Sequence, residues 1–438
     1  MKTILLTLGL ATVLSANLLA GETLRLKLEP DRTVVLKGSP QEVVVKIDLS
    51  AIAHLKKVKR TPLNLAVVLD HSGSMTGAKL EKARQAAMQL VDQLAPDDIF
   101  SLVIYSSKAQ VLVPAQHVED KEALKARIAK ISAGGGTALY SGVKTGADQL
   151  AEYLSSKRIS RVILLSDGLA NVGPSSTHEL RQLGNELAGR DITVTTIGVG
   201  DDYNEDLMAG LAEASDANYY YVKDTEKLPA IFAKELGELL IVAAREVRIE
   251  IICPKGVRPI GFIGRAEKFE DQKASVNLSQ FTPGQNRCLF LRCLVNEPKP
   301  EIARVNVSYT DELDGGNSRS ASDVVKIRFT DDKHVADQSV NYAVNSEKEL
   351  MLTAVVKDAA MAAADAGKYQ EASATLSRQI IVLNSAYVSA PATVQVQIRG
   401  ELDNLNSFNS QLEQGQYNFR KDMQSQSYNT RNSKSNDQ

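Results

Sequence analysis

This chain has no excess of charge of either sign. Lys and Arg number 51 against 53 Asp and Glu, and no long block of one sign occurs. A nucleic-acid binder needs a basic patch large enough to displace phosphate counterions, so the balance argues against that class of partner. Cysteine is nearly missing as well, with only Cys253, Cys288 and Cys293. They form no Cys-x-x-Cys pair and have no His nearby, which argues against a zinc or dithiol redox site. An odd count leaves at least one thiol unpaired. If residues 287–295 are one strand, Cys288 and Cys293 face opposite sides, so at most one of them can meet Cys253 across a core.

Long apolar runs are absent after the first twenty residues. At the start, Lys2 precedes an apolar run from Thr3 to Leu19, and Ala20-Gly21-Glu22 follows. This pattern reads as a secretory signal peptide over residues 1–20, cut after Ala20, and implies a periplasmic or extracellular mature protein. An uncleaved anchor is the alternative, because roughly 20 apolar residues span a bilayer. No Cys lies near the cut, which argues against a lipoprotein. Once the leader is removed, no dedicated transmembrane segment is expected.

Enzymatic signatures are also lacking. There is no Gly-x-Ser-x-Gly elbow, Gly134-Gly135-Gly136 is not followed by Gly-Lys-Ser/Thr, and Gly198-x-Gly200 has no third glycine. His71, His117 and His178 are scattered and read as surface residues.

What is present divides into blocks, and 438 residues with 43% hydrophobic content can fill more than one core. Between residues 61 and 242, short apolar strands alternate with amphipathic helices, which predicts an α/β domain: a mostly parallel sheet covered on both faces. Residues 21–60 alternate apolar and polar, as in Val43, Val45, Ile47 and Leu49, and so do stretches within residues 243–331, as in Val247, Ile249 and Ile251. Forty residues of strand cannot make their own core. The two stretches are therefore expected to form one β-sandwich into which the α/β domain is inserted. Residues 335–412 read as helical, with Ser346-Glu347-Lys348-Glu349 as a capping box opening the first helix. Residues 413–438, rich in Gln, Asn, Ser and Lys, read as a disordered tail.

The chemistry concentrates at three strand ends. Asp70-His71-Ser72-Gly73-Ser74 follows the apolar run Leu63 to Leu69, so it lies at a strand's carboxyl end, where open α/β sheets bind ligands. Asp70, Ser72 and Ser74 are two apart, so in a nearly extended chain their oxygens project to one side. Gly134-Gly135-Gly136-Thr137 adds a hydroxyl before a helix, and Ser166-Asp167-Gly168 adds a second carboxylate at the end of another strand. Asp70, Ser72, Ser74, Thr137 and Asp167 thus make a hard-oxygen set suited to Mg²⁺. Asp201, Asp202, Glu205 and Asp206 read as a solvated acidic loop capping a helix.

The spaced set resembles the metal-ion-dependent adhesion site of von Willebrand factor type A domains over about residues 61–242. That resemblance implies a Rossmann-like sheet, a bound divalent ion, and a protein partner whose Asp or Glu carboxylate takes one metal position. It also implies that Ser72, Ser74 and Thr137 touch the metal, with Asp70 and Asp167 acting largely through water. The surrounding arrangement is similar to secreted proteins of the inter-alpha-trypsin-inhibitor heavy-chain type. A rival resemblance, to the Asp-x-Asp-Gly-Thr loop of haloacid-dehalogenase-like phosphatases, fails at Ser72, which stands where the proton-donating Asp is required. A non-enzymatic binding and adhesion protein is therefore expected. A structural subunit of an envelope assembly held together by the metal is the alternative, and salt and EDTA sensitivity of a complex separates the two.

Overall fold

The computed structural model describes residues 23–53 and 60–434. The expected leader, residues 1–20, lies outside the described residues.

A six-stranded sheet forms the centre of the α/β domain. Its spatial order is Ala109–His117, Ile99–Tyr105, Leu63–Asp70, Ile159–Ser166, Ile192–Val199 and Tyr219–Val222. All neighbours are parallel except the first pair, which is antiparallel. The strands Leu63–Asp70, Ile99–Tyr105, Ile159–Ser166 and Ile192–Val199 are buried at every position, as their unbroken apolar runs require when helices cover both faces. One face packs the helices Ala78–Gln93, Lys121–Ala129 and Leu228–Leu240. The other packs Leu139–Leu150, Thr177–Ala188 and Glu205–Ala214. Ser176 and Glu179 form a reciprocal capping box that starts the Thr177 helix.

Two four-stranded antiparallel sheets make the sandwich. One runs Leu24–Pro30, Gln41–Ala51, Asn286–Val295, Val257–Phe262, and the other Lys273–Phe281, Ala244–Ile252, Glu301–Asp311, Asn317–Lys326. Leu24, Val45, Ile47 and Leu49 from before the α/β domain share one core with Val247, Ile249, Val276 and Val305 from after it. Cys253 and Cys293 meet in that core with their sulfurs 3.9 Å apart, both buried, and all three thiols are free. Cys288 points the other way, toward Asp48, and burial pushes its thiol up to about 12.

The helical segment differs from expectation at its start and at its end. Its first long helix is Tyr342–Asp365, capped by the Asn341 side chain, which accepts from the Val344 amide. Ser346 is therefore inside the helix, and its hydroxyl donates to the Tyr342 carbonyl at 2.7 Å instead of capping. The helices Tyr369–Ser389 and Ala392–Glu413 follow.

The expected disordered tail is corrected more sharply, since residues Arg420–Arg431 form a packed helix. Phe419 stacks on Phe408, while Met423 and Tyr428 are buried and the Tyr428 hydroxyl donates to the Ala217 carbonyl at 2.6 Å. A polar composition with a few large apolar anchors is enough once other elements supply the rest of the contacts. No helix among the described residues is long and apolar enough to cross a membrane.

Candidate metal centre

The first strand of the domain, Leu63–Asp70, lies in the interior of the sheet, and the chain winds outward from it in both directions. The loops after it and after its neighbour Ile159–Ser166 diverge at the carboxyl edge, which opens a crevice there. The sequence fills that crevice with oxygen. Asp70 and Asp167 are fully buried, and Ser72 and Thr137 nearly so.

Two hydrogen bonds fix Asp70. One carboxylate oxygen accepts the Ser72 amide and the other the Ser166 hydroxyl, both at 2.8 Å. Burial pushes this carboxyl above its ordinary range, with the bonds from Ser72 and Ser166 opposing the shift. Its backbone turns into Ser72, whose hydroxyl lies 3.0 Å from that of Ser74. The Ser74 hydroxyl in turn donates to Asp167 at 2.7 Å. The second oxygen of Asp167 accepts from the Lys79 ammonium at 2.6 Å.

Thr137 reaches the group through the glycine run. The Gly73 amide donates to the Gly135 carbonyl, and the Gly134 amide to the His71 carbonyl, so the two loops are zipped together by backbone. Gly135 takes φ +89°, and a Cβ there would press within 3.0–3.2 Å of Ser106 and Ser107. Asn171 then clamps Thr137, with its side-chain oxygen accepting the Thr137 amide at 2.8 Å. A Cβ on Gly168 would stand 3.3 Å from the Ser74 hydroxyl and 3.6 Å from that of Thr137, so these two hydroxyls flank the same bare backbone.

All five residues singled out from the sequence are therefore brought to one crevice. His71 is not among the groups facing it, since its ring nitrogen Nδ1 lies 2.9 Å from the Ser132 carbonyl. Of the acidic loop, Glu205 and Asp206 are ion-paired to Arg420, and the Asp201 carboxylate accepts from the Tyr221 hydroxyl.

Three contributors escaped the sequence reading: Ser166, Asn171 and Lys79. Ser166 stands inside the quoted Ser166-Asp167-Gly168 and Asn171 three residues beyond it, but their roles depend on how separate loops meet. Lys79 had a readable signal, because it is a charged residue on the first turn of the helix that directly follows the Ser74 loop.

The donor set fits a hard divalent cation. Every group is an oxygen, two are carboxylates, and no thiol or imidazole competes. Among the described residues no group of three or more His, Cys, Asp or Glu gathers anywhere, here included, so hydroxyls must supply part of any ligand set.

Known proteins agree with this architecture. Residues 64–234 match the von Willebrand factor type A domain family model. The Synechocystis protein sll0103 is 28% identical over 270 residues, covering 59% of this chain and 64% of its own length. YfbK of Escherichia coli is 25% identical over 297 residues, covering 66% of this chain and 51% of its own. Human inter-alpha-trypsin inhibitor heavy chain H4 is 30% identical over 160 residues, which is 34% of this chain and 17% of that protein. This chain thus spans less than two thirds of the length of each of these relatives. Among solved structures, the ArnB paralogue VWA2 of Sulfolobus acidocaldarius superposes with a TM-score of 0.66 at 16% identity, over 94% of this chain and 99% of that one. A von Willebrand factor type A protein of Catenulispora acidiphila gives 0.68 at 17% identity, over 87% and 88%. These two likenesses carry the fold, sandwich and helices included, beyond the matched segment. The segment from residue 64 to residue 234 thus matches the von Willebrand factor type A domain, and it lies between the two strand-rich segments of the chain.

Proposed function

We propose that the chain is an exported, non-enzymatic binding protein that engages an acidic side chain of a protein partner through Mg²⁺ or Mn²⁺ held at this crevice. Domains of this family are in general protein-interaction modules, and that general role is the frame for the narrower reading. The observation that carries it is the oxygen chain of Ser72, Ser74 and Asp167, linked at 3.0 and 2.7 Å at the open edge of the sheet. Ser72, Ser74 and Thr137 would hold the ion, while Asp70 and Asp167 orient those hydroxyls and balance charge.

When bound, the cation supplies a positive centre that a partner's Asp or Glu can pair with. The hydroxyls are neutral and leave most of that charge in place, and a carboxylate buried at the contact would otherwise lie unpaired at high cost.

The test uses the full mature chain. Titration calorimetry with Mn²⁺ is expected to show one site, which Asp167→Ala or the double change Ser72→Ala with Ser74→Ala weakens about 100-fold while circular dichroism stays unchanged. Envelope or secreted proteins captured by the immobilised chain in Mn²⁺ should elute in EDTA and fail to bind the Asp167→Ala chain. Equal capture in Mn²⁺ and EDTA overturns the metal bridge.

A further inference from the structure

We propose that Lys79 is the resident counter-cation of this centre: its ammonium holds the oxygen of Asp167 that faces away from Ser74, and thereby sets how tightly the crevice takes a divalent ion. The inference rests on the metal reading above and adds the residue that regulates it.

Lys79 is the second residue of the sixteen-residue helix Ala78–Gln93. That is the wrong end of a helix for a cation, since the backbone dipole and unbonded amides there favour negative charge. A lysine at this position needs an anion to hold it, and Asp167 is that anion, at 2.6 Å. Gly200 leaves the lysine stem room, since even a Cβ there would stand 3.7 Å from both Cε and Nζ.

The two partners differ in what they can do next. Asp167 is wholly buried, whereas the Lys79 side chain keeps 27% of its surface in water. When a divalent ion arrives, the lysine can retreat into solvent and the carboxylate cannot. Asp70 and Asp167 bring two negative charges to the crevice and Lys79 brings one positive charge, so the cluster is left one short of neutrality. A divalent ion added beside a lysine overshoots to one net positive charge. The lysine therefore opposes the ion while favouring an incoming carboxylate once the ion is bound. Without Lys79 the same ion would neutralise the pair and be held more tightly.

The experiment compares the full mature chain with Lys79→Met and Lys79→Arg, by Mn²⁺ titration calorimetry and by thermal melting with and without Mn²⁺. Lys79→Met is expected to tighten Mn²⁺ binding by about tenfold or more, because a charge this close to a carboxylate shifts its cation affinity by at least that factor. Lys79→Arg, which keeps the charge, should stay within about threefold of the parent, a small difference in favour of its role being electrostatic. Metal-free Lys79→Met should melt lower than the parent, and Mn²⁺ should raise its melting temperature by the larger amount. Lys79→Gln serves as the second variant if Lys79→Met does not fold. Unchanged or weaker Mn²⁺ binding in the neutral variants overturns the role of Lys79 alone. Absence of Mn²⁺ binding in parent and variants alike overturns the metal reading and this inference with it.

Discussion

Two sides of the same α/β domain bury carboxylates, and they compensate them in opposite ways. At the carboxyl edge of the sheet, Asp70 and Asp167 face hydroxyls from Ser72, Ser74 and Ser166, and a single ammonium from Lys79. On the side that meets the C-terminal helix and the sandwich, each carboxylate has a cation from elsewhere in the chain. Glu205 pairs with Arg420 and Lys421, Asp206 with Arg420, Glu213 with Arg181 and Arg431, and Asp216 with Arg287. Burial of charge demands a partner in both places. Where the chain supplies full cations the result is a closed joint, and where it supplies mostly neutral hydroxyls negative charge is left over, as the proposed ion site requires.

Cutting the joint should give the largest effect. Deleting residues 416–438 removes Arg420, Lys421 and Arg431, together with the buried Met423 and Tyr428. Glu205 would lose both of its cations, and Tyr219 its edge-on contact with Tyr428. The expected loss is more than about 5 kcal/mol, since one broken buried ion pair and one large apolar truncation each cost several. Urea unfolding of the deleted chain measures it. A loss under about 1 kcal/mol would mean that the helix only decorates the domain, and the contrast between the two sides would collapse.

A single carboxylate sharpens the comparison. Asp216 joins the domain to the sandwich: Arg287 donates to one oxygen at 2.6 Å and the Ser279 amide to the other at 2.5 Å. Burial alone pushes this carboxyl up, but Arg287, with Lys434 and the Ser279 amide behind it, brings it down to about 2 from an ordinary 3.8. A lowered folded value means that the stabilisation is complete above about pH 4 and is lost as pH falls through about 2. At neutral pH it amounts to roughly 2 kcal/mol. Asp216→Asn should therefore unfold more easily by that amount at pH 7, and the gap from the parent should close between pH 4 and pH 2. A gap that stays constant over that window would assign the effect to packing and not to charge.

The two sides also differ in how legibly the sequence encodes them. The sheet is written in unbroken apolar runs such as Leu65 to Leu69, and the sandwich in alternation such as Val247, Ile249 and Ile251, because each pattern is the direct imprint of one or two buried faces. The five metal-edge residues could be gathered because each lies at the end of a readable strand or the start of a readable helix. The joint carries no such imprint. Lys421 meets Glu205, and Tyr428 meets Ala217, across more than two hundred residues, so the tail's helix depends on partners that no local window contains. Lys79 is visible on the helix after the Ser74 loop, but its partner Asp167 lies 88 residues further along the chain. The same limit misplaced the first turn of the long helix, where Asn341 outcompetes the Ser346 box because an isolated bridge between Val340 and Arg32 pins the chain just before it. Asn341 is held by its own amide donating to the Asp31 carbonyl.

The smallest expected effect lies inside the motif itself. His71 occupies the position between Asp70 and Ser72, yet most of what it contributes is backbone: its amide donates to the Tyr105 carbonyl at 3.0 Å and its carbonyl accepts the Gly134 amide at 2.8 Å. Alanine keeps both of those bonds. The imidazole faces the Ser132 carbonyl, as the alternation of an extended chain dictates when its neighbours on either side turn toward the crevice. His71→Ala should thus lose one partly exposed hydrogen bond, about 1 kcal/mol or less, and leave Mn²⁺ affinity within about twofold of the parent. Calorimetry on the variant alongside Asp167→Ala reads both quantities from the same preparation. If His71→Ala weakened Mn²⁺ binding about tenfold, an imidazole ligand would have to be added to the oxygen set. The edge would then be a softer site than its hydroxyls and carboxylates describe.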